Sequence, residues 1–265
     1  MRADKARADD DGGDDDDNEA RADEMWLAAQ AGDILRLQAH TGSRTGPCPS
    51  FKGYTSLAVA VLNGHVACVE HLLQFGDAFG FPLWIAAIQN DTDAARLLLS
   101  ARADVTVSRY DVTRREAWPC SLRFRFRSLD LLGCVATDDR LPMMESLLAA
   151  KASARAALRY AAEGQPRAVR LLLDYGAPAD SSYDDDYTAL QAAASCGCTQ
   201  TINILIEAKA DVDAQDAHGE DACWAAAYSG HLDAARLLQD HGAVASAPYW
   251  YQWCQPDWRE QCSLD

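Results

Sequence analysis

The sequence predicts an all-α solenoid in which short helix pairs stack one upon the next, and three observations predict it. The chain repeats on itself with a period of about 33 residues, so that Thr188-Ala-Leu-Gln-Ala-Ala-Ala-Ser-Cys-Gly197 aligns with Asp221-Ala-Cys-Trp-Ala-Ala-Ala-Tyr-Ser-Gly230. Twelve residues beyond each of those glycines stand Lys209-Ala and Gly242-Ala, with Ile204-Leu and Leu237-Leu just upstream. Apolar runs are short and broken by charge, which fits small helices buried on one face and no membrane span. Self-similarity at this spacing marks a stacked-repeat array, in which each unit buries its apolar face only against its neighbours.

The same ruler, a turn residue followed twelve positions later by a closing residue, places each element in order. A degenerate first copy opens at Asp23 with Met25-Trp-Leu-Ala-Ala-Gln-Ala-Gly32. The second opens at Thr55, turns at Gly64-His and closes at Gly76 after Val69-Glu-His-Leu-Leu. The third carries Phe81-Pro-Leu-Trp-Ile-Ala-Ala, then Asn90, Arg96-Leu-Leu-Leu and Arg102. The fourth opens at Asp130 and runs through Asp139 and Met144-Glu-Ser-Leu-Leu to Lys151. The fifth opens at Arg155, with Tyr160-Ala-Ala-Glu-Gly164 and Leu171-Leu-Leu-Asp-Tyr-Gly176-Ala, and the sixth and seventh open at Thr188 and Asp221. Seven units thus cover 23–243. Paired alanines such as Ala193-Ala194 and Ala226-Ala227 let neighbouring helices approach closely, and Leu-Leu pairs on the following helix fill the space behind. Glycine at the turn and closing positions suits a tight helix–helix turn and a left-handed helix end.

These residues resemble the ankyrin repeat, whose pattern is T-P-L-H-x-A-A-x-x-G-H, then a second helix with Leu-Leu and a closing Gly-Ala. The stretch Ala210-Asp-Val-Asp-Ala-Gln-Asp-Ala-His-Gly219-Glu-Asp221 also matches the inter-repeat turn of that family. The resemblance implies hairpin fingers between helix pairs and a non-catalytic protein-binding role. It further implies a concave face lined by the finger tips and the exposed ends of the first helices. Register carries that face to Asp184, Asp185, Tyr187 and Ser195, then to Ala217, His218, Glu220 and Tyr228. His65 and His231 stand at the family's Gly-His position, which implies a ring bridging the backbone of neighbouring turns; Cys198 replaces that histidine in the sixth unit. The steps from Thr55 to Phe81 and from Asp130 to Arg155 fall well short of a full period and leave no room for a finger, so bare helix-to-helix connections are expected there. The step from Phe81 to Asp130 overshoots the period instead, which marks an inserted loop near 106–127.

Three features stand above this scaffold. The finger Ser181-Ser-Tyr183-Asp-Asp-Asp-Tyr187 mixes tyrosine with carboxylates, which suits a basic partner. Its plainer reading is a solvated acidic turn, with Asp186 left-handed where Gly219 stands one unit on. The insertion holds Ser121-Leu-Arg-Phe-Arg-Phe-Arg127, whose strict alternation is strand periodicity. Its Arg123, Arg125 and Arg127 either clamp an acidic or phosphorylated partner or neutralise the protein's own acids. The C-terminal segment 244–265 contains Tyr249-Trp-Tyr-Gln-Trp253 and Trp258, which either cap the last repeat or dock a partner.

Composition bounds the rest. The net charge of −16 disfavours nucleic-acid binding, which needs a basic footprint. Residues 1–22 hold nine acids against four bases and are expected to be a disordered acidic tail. No apolar stretch follows Met1, so no secretory signal is read. The cysteines are nine, an odd number, and Cys68, Cys134 and Cys223 occupy helical positions suited to buried free thiols. That points to a reducing compartment, the cytosol in preference to the nucleus. Cys196-Gly-Cys198 is a poor match to zinc spacings, so no metal and no cofactor are expected. Cys254 and Cys262 have no histidine nearby in sequence, and no glycine-rich phosphate loop follows a strand, so an enzyme is not expected. The leading expectation is an adaptor, scaffold or inhibitor; the alternative is a substrate-recruiting subunit of a larger assembly such as a ubiquitin ligase, using the aromatic C-terminal segment.

Overall fold

The computed structural model describes residues 23–41, 50–51, 54–75, 80–106, 130–183 and 186–244. The acidic tail, the arginine–phenylalanine insertion with Arg123, Arg125 and Arg127, the finger-tip residues Asp184 and Asp185, and the aromatic segment from Tyr249 lie outside the described residues. The chain forms two compact units, the first ending at Asp104 and the second carrying everything from Asp130 onward.

Among the described residues the first unit holds three helix pairs. They are α1 (helical over 23–31) with α2 (Ile34–Thr41), α3 (Ser56–Leu62) with α4 (Val66–Leu72), and α5 (Gly80–Gln89) with α6 (Thr92–Ser100). A two-residue ladder, β1 (Ser50–Phe51) against β2 (Tyr54–Thr55), precedes α3. Among the described residues the second unit holds four pairs. These are α7 (Leu131–Ala136) with α8 (Leu141–Ala149), α9 (Ala154–Ala162) with α10 (Pro166–Asp174), α11 (Ala189–Ser195) with α12 (Thr199–Glu207), and α13 (Ala222–Tyr228) with α14 (Leu232–Asp240). A second ladder, β3 (Ser182–Tyr183) against β4 (Tyr187–Thr188), precedes α11.

The helix starts follow from capping. Thr55, Asp130, Thr188 and Asp221, the residues that open their repeats in the sequence register, are all N-caps. Their side-chain oxygens accept from the backbone N–H groups of Ala58, Gly133, Gln191 and Trp224 at 3.1, 3.1, 3.2 and 2.7 Å. The fifth repeat starts two residues earlier than its register residue Arg155, because Ser153 is the N-cap of α9. Only residues 150–153 separate α8 from α9, the bare connection expected there.

The turns also sit where the ruler puts them. Asn90, Arg102, Asp139, Lys151, Asp186 and Lys209 have φ between 53° and 70° although none is glycine. Each closes a turn whose backbone needs the left-handed region, so position overrides residue preference. The core lies between stacked pairs: Ala193, Ala194, Ala226, Leu172, Leu205 and Leu238 are all fully buried. Cys68 and Cys223 are buried free thiols as expected, whereas Cys134 is only half-buried. His65 Nε2 lies 3.0 Å from the Gln30 carbonyl oxygen one repeat earlier, the bridge implied by the family resemblance.

Candidate functional site

The second unit brings several of the sequence-selected residues onto consecutive repeats. In the β3–β4 hairpin the backbones of Tyr183 and Tyr187 pair directly, and Asp186 completes the reversal at φ 60°. Tyr187 then leans along α11, and its hydroxyl donates to Ser195 Oγ at 3.2 Å. Ser195 Oγ in turn donates to the Ala192 carbonyl at 2.9 Å. The Tyr187 ring also meets a cation: the Arg159 guanidinium carbon lies 5.0 Å from its centroid and 5.4 Å from that of Tyr160. Burial pushes the Tyr187 phenol up, while the Ser195 hydrogen bond and the Arg159 charge pull it back.

One repeat on, the finger is organised by Asp216. Its carboxylate is buried, and Oδ1 accepts from the backbone N–H groups of His218 and Glu220, both at 2.9 Å. The Asp216 N–H donates to the Glu220 carbonyl at 3.0 Å, closing the turn around Gly219. Burial, and then the neighbouring Asp216 charge, push the Glu220 carboxyl upward; His218 pulls it down. The two fingers are joined through Gln191, which is fully buried. Its side chain accepts from the Thr188 N–H at 2.6 Å and donates to the Glu220 carbonyl at 2.5 Å.

Ser195 and Tyr228 are the last residues of α11 and α13 and stand one repeat period apart. Tyr228 is 68% exposed, and its ring stacks on that of Trp224 at 4.8 Å and 13°. Trp224 is itself 6% exposed, so an open tyrosine face rests on a buried indole. His218 and Ala217 are exposed at the finger tip. Tyr187 and Ser195 are thus brought together, as are Asp216, His218 and Glu220, whereas Tyr228 pairs with Trp224.

Sequence reasoning passed over Arg159, Gln191 and Asp216. Arg159 carried a signal: Ala192 and Ala225 follow it at one and two repeat periods, so a long cation replaces a methyl group on a first helix. Gln191 and Asp216 had weaker signals, since their partners are backbone groups, which a side-chain pattern does not mark. Among the described residues no group of three or more His, Cys, Asp or Glu side chains could hold a metal ion. Cys198 is half-buried, and burial followed by the nearby Cys196 raises its thiol. No described helix is long and apolar enough to cross a membrane.

A family model described as ankyrin repeats (3 copies) matches residues 25–109 and 157–248. The chain belongs to the ankyrin repeat family, which makes it a protein-interaction module in class. Among solved structures, the human ASB11 ankyrin repeat domain superposes with a TM-score of 0.61 and 22% identity, covering 84% of this chain and 99% of that one. Two curated relatives are similar over part of their length. A serine/threonine-protein kinase 12 from Arabidopsis thaliana is 34% identical over 81 residues, 31% of this chain and 18% of that protein. A glycerophosphocholine phosphodiesterase gde1 from Schizosaccharomyces pombe is 29% identical over 175 residues, 63% of this chain and 14% of that protein. The chain therefore matches less than a fifth of the length of either relative.

Proposed function

We propose that the protein is a non-catalytic adaptor, scaffold or inhibitor that holds a protein partner on the face carrying Tyr187, Ser195, His218, Glu220 and Tyr228. The observation that carries this reading is Tyr228: a mostly exposed ring stacked on buried Trp224 offers a large, rigid contact at little entropic cost. Glu220 and His218 on the finger of the same repeat add polar and negative groups to this face, and the sequence of the preceding finger is acidic, which favours a partner with a basic surface. The buried free thiols Cys68 and Cys223 support a reducing compartment, the cytosol first.

Affinity capture from lysate with the wild-type chain and with a Tyr228→Ala, Glu220→Gln double variant tests the reading. A protein retained by the first and lost by the second, identified by mass spectrometry, supports it. Capture that is indifferent to both substitutions and to ionic strength refutes it, because an acidic face binding a basic partner weakens with salt. The aromatic run Tyr249 to Trp253 favours a second reading, recruitment into a larger assembly such as a ubiquitin ligase. Truncation after Ala245 would then abolish co-purification of the assembly while leaving capture through Tyr228 intact.

A further inference from the structure

Three arginines of the second unit have an ion-pair partner. Arg140 lies 2.7 Å from Asp138, Arg167 lies 3.8 Å from Asp139 and Arg236 lies 3.8 Å from Asp233. Among the described residues Arg159 does not follow them. It is half-buried, its Nε is covered, and that atom has no hydrogen-bond acceptor among the described residues. What holds it is two aromatic faces, Tyr160 on its own helix and Tyr187 from the next finger. Covering that nitrogen without an acceptor carries a desolvation cost, and the Glu163 carboxylate, four residues on, reaches the same Tyr187 ring without forming an ion pair with Arg159 among the described residues. Its place is also specific, since the following repeats put Ala192 and Ala225 at the same register position. The neighbouring hydroxyls of Tyr187 and Ser195 form a short polar chain at the same spot.

We propose that Arg159 is an anion seat on the partner-binding face, receiving one side-chain carboxylate of a partner peptide whose basic residues lie against Glu220. This rests on the partner-binding reading given above and adds to it a charge pattern, an acid followed by bases. The planar guanidinium, fixed between two rings, presents the fork geometry that matches a carboxylate. A monoanion fits better than a phosphate: one guanidinium supplies one charge, and Glu163, whose charge reaches Tyr187, already opposes a second negative charge.

The test selects peptides from a random phage-displayed library on the full chain, then measures synthetic winners by isothermal calorimetry. The expected winners share one Asp or Glu at a fixed place beside Lys or Arg. Changing that acid to its amide, or Arg159→Gln in the protein, is expected to weaken binding by roughly tenfold or more, with no further loss when both are changed. Arg159→Lys is expected to recover only part of the affinity, since an ammonium lacks the fork. Winners without a fixed acid, equal binding by Arg159→Gln, or full recovery by Arg159→Lys would each overturn the proposal. If Arg159→Gln fails to fold, as read by circular dichroism, the acid-to-amide peptide against the wild-type chain decides alone. A phosphoserine in place of the acid is expected to bind more weakly, and tighter binding overturns the carboxylate assignment. The two readings fail separately: loss of binding with Tyr228→Ala but not with Arg159→Gln keeps the face and removes the seat, and the converse keeps the seat and removes Tyr228 as the anchor.

Discussion

At Gly197 a single missing carbon makes room for the next repeat. Its φ is 68°, and a Cβ there would stand 2.6 Å from Nδ1 of His231, the ring that belongs to the following turn. Gly230 has a similar φ of 81° but nothing within 4 Å of its would-be Cβ. Both substitutions to Ala carry the left-handed backbone cost of about 1–2 kcal/mol, and Gly197→Ala adds the displacement of His231, about 1–2 kcal/mol more. Urea unfolding of both variants checks this, and equal losses would remove His231 from the account. Glu220 offers a second residue-scale expectation. Its folded-state carboxyl is raised, so its contribution to stability is fully present below the unfolded carboxylate pKa and is lost as pH rises through the higher folded value. Glu220→Gln is therefore expected to melt slightly higher near neutral pH, by no more than about 2 °C given its partial exposure, with the gap closing as the pH falls into the carboxylate range. A variant that melts lower than wild type near neutral pH would contradict this sign.

At the scale of elements, the site depends on how one finger grips the next. Gln191 completes the capping box of α11 and at the same time holds the Glu220 carbonyl of the following finger. Removing it takes the side-chain acceptor from the buried Thr188 N–H and leaves the Glu220 carbonyl with the Asp216 N–H of its own turn. Gln191→Ala is expected to cost about 2–3 kcal/mol, with faster amide exchange from Asp216 to Glu220 as well as at Thr188. Faster exchange at Thr188 alone would mean that the finger stands without it. A similar staple recurs between neighbouring repeats: Asp180 accepts from the Asp211 N–H at 2.7 Å and Asp213 from the Val244 N–H at 2.8 Å. These bonds are exposed, so each is a register pin of about 1 kcal/mol rather than a main source of stability.

At the scale of the whole molecule, repeat arrays are stabilised by neighbours and fray from their ends. If the aromatic segment caps the seventh repeat, truncation after Ala245 is expected to raise hydrogen exchange between Asp221 and Gly242 while leaving the turn at Gly64 unchanged. Unaltered exchange together with lost partner capture would make the segment a docking motif. Deleting residues 1–22 is expected to leave the melting temperature within about 1 °C, because after Met1 that segment carries no apolar side chain larger than alanine. A fall of several degrees would mean that it packs on the array, with the arginines between Arg109 and Arg127 as the natural counterpart.

The sequence by itself determined what repeats at fixed offsets along the backbone. The N-caps Thr55, Asp130, Thr188 and Asp221 and the left-handed positions Asn90, Arg102, Asp139, Lys151, Asp186 and Lys209 are local events, so the repeat register located them even where the residue type argued otherwise. The register placed Tyr187 and Ser195 on one finger and the helix that follows it, whereas the bond between their hydroxyls became visible only in the structure. Only the tertiary structure decided which side chains meet between repeats: Arg159 with Tyr187 from the next finger, and Gln191 with the carbonyl of Glu220. It also decided local choices of packing, a buried indole under Tyr228 and a buried carboxylate at the centre of a finger written as polar. Periodicity fixes where a helix begins and turns, but the depth and neighbours of a side chain depend on how closely successive helix pairs stack, and that spacing is set by packing across the repeats.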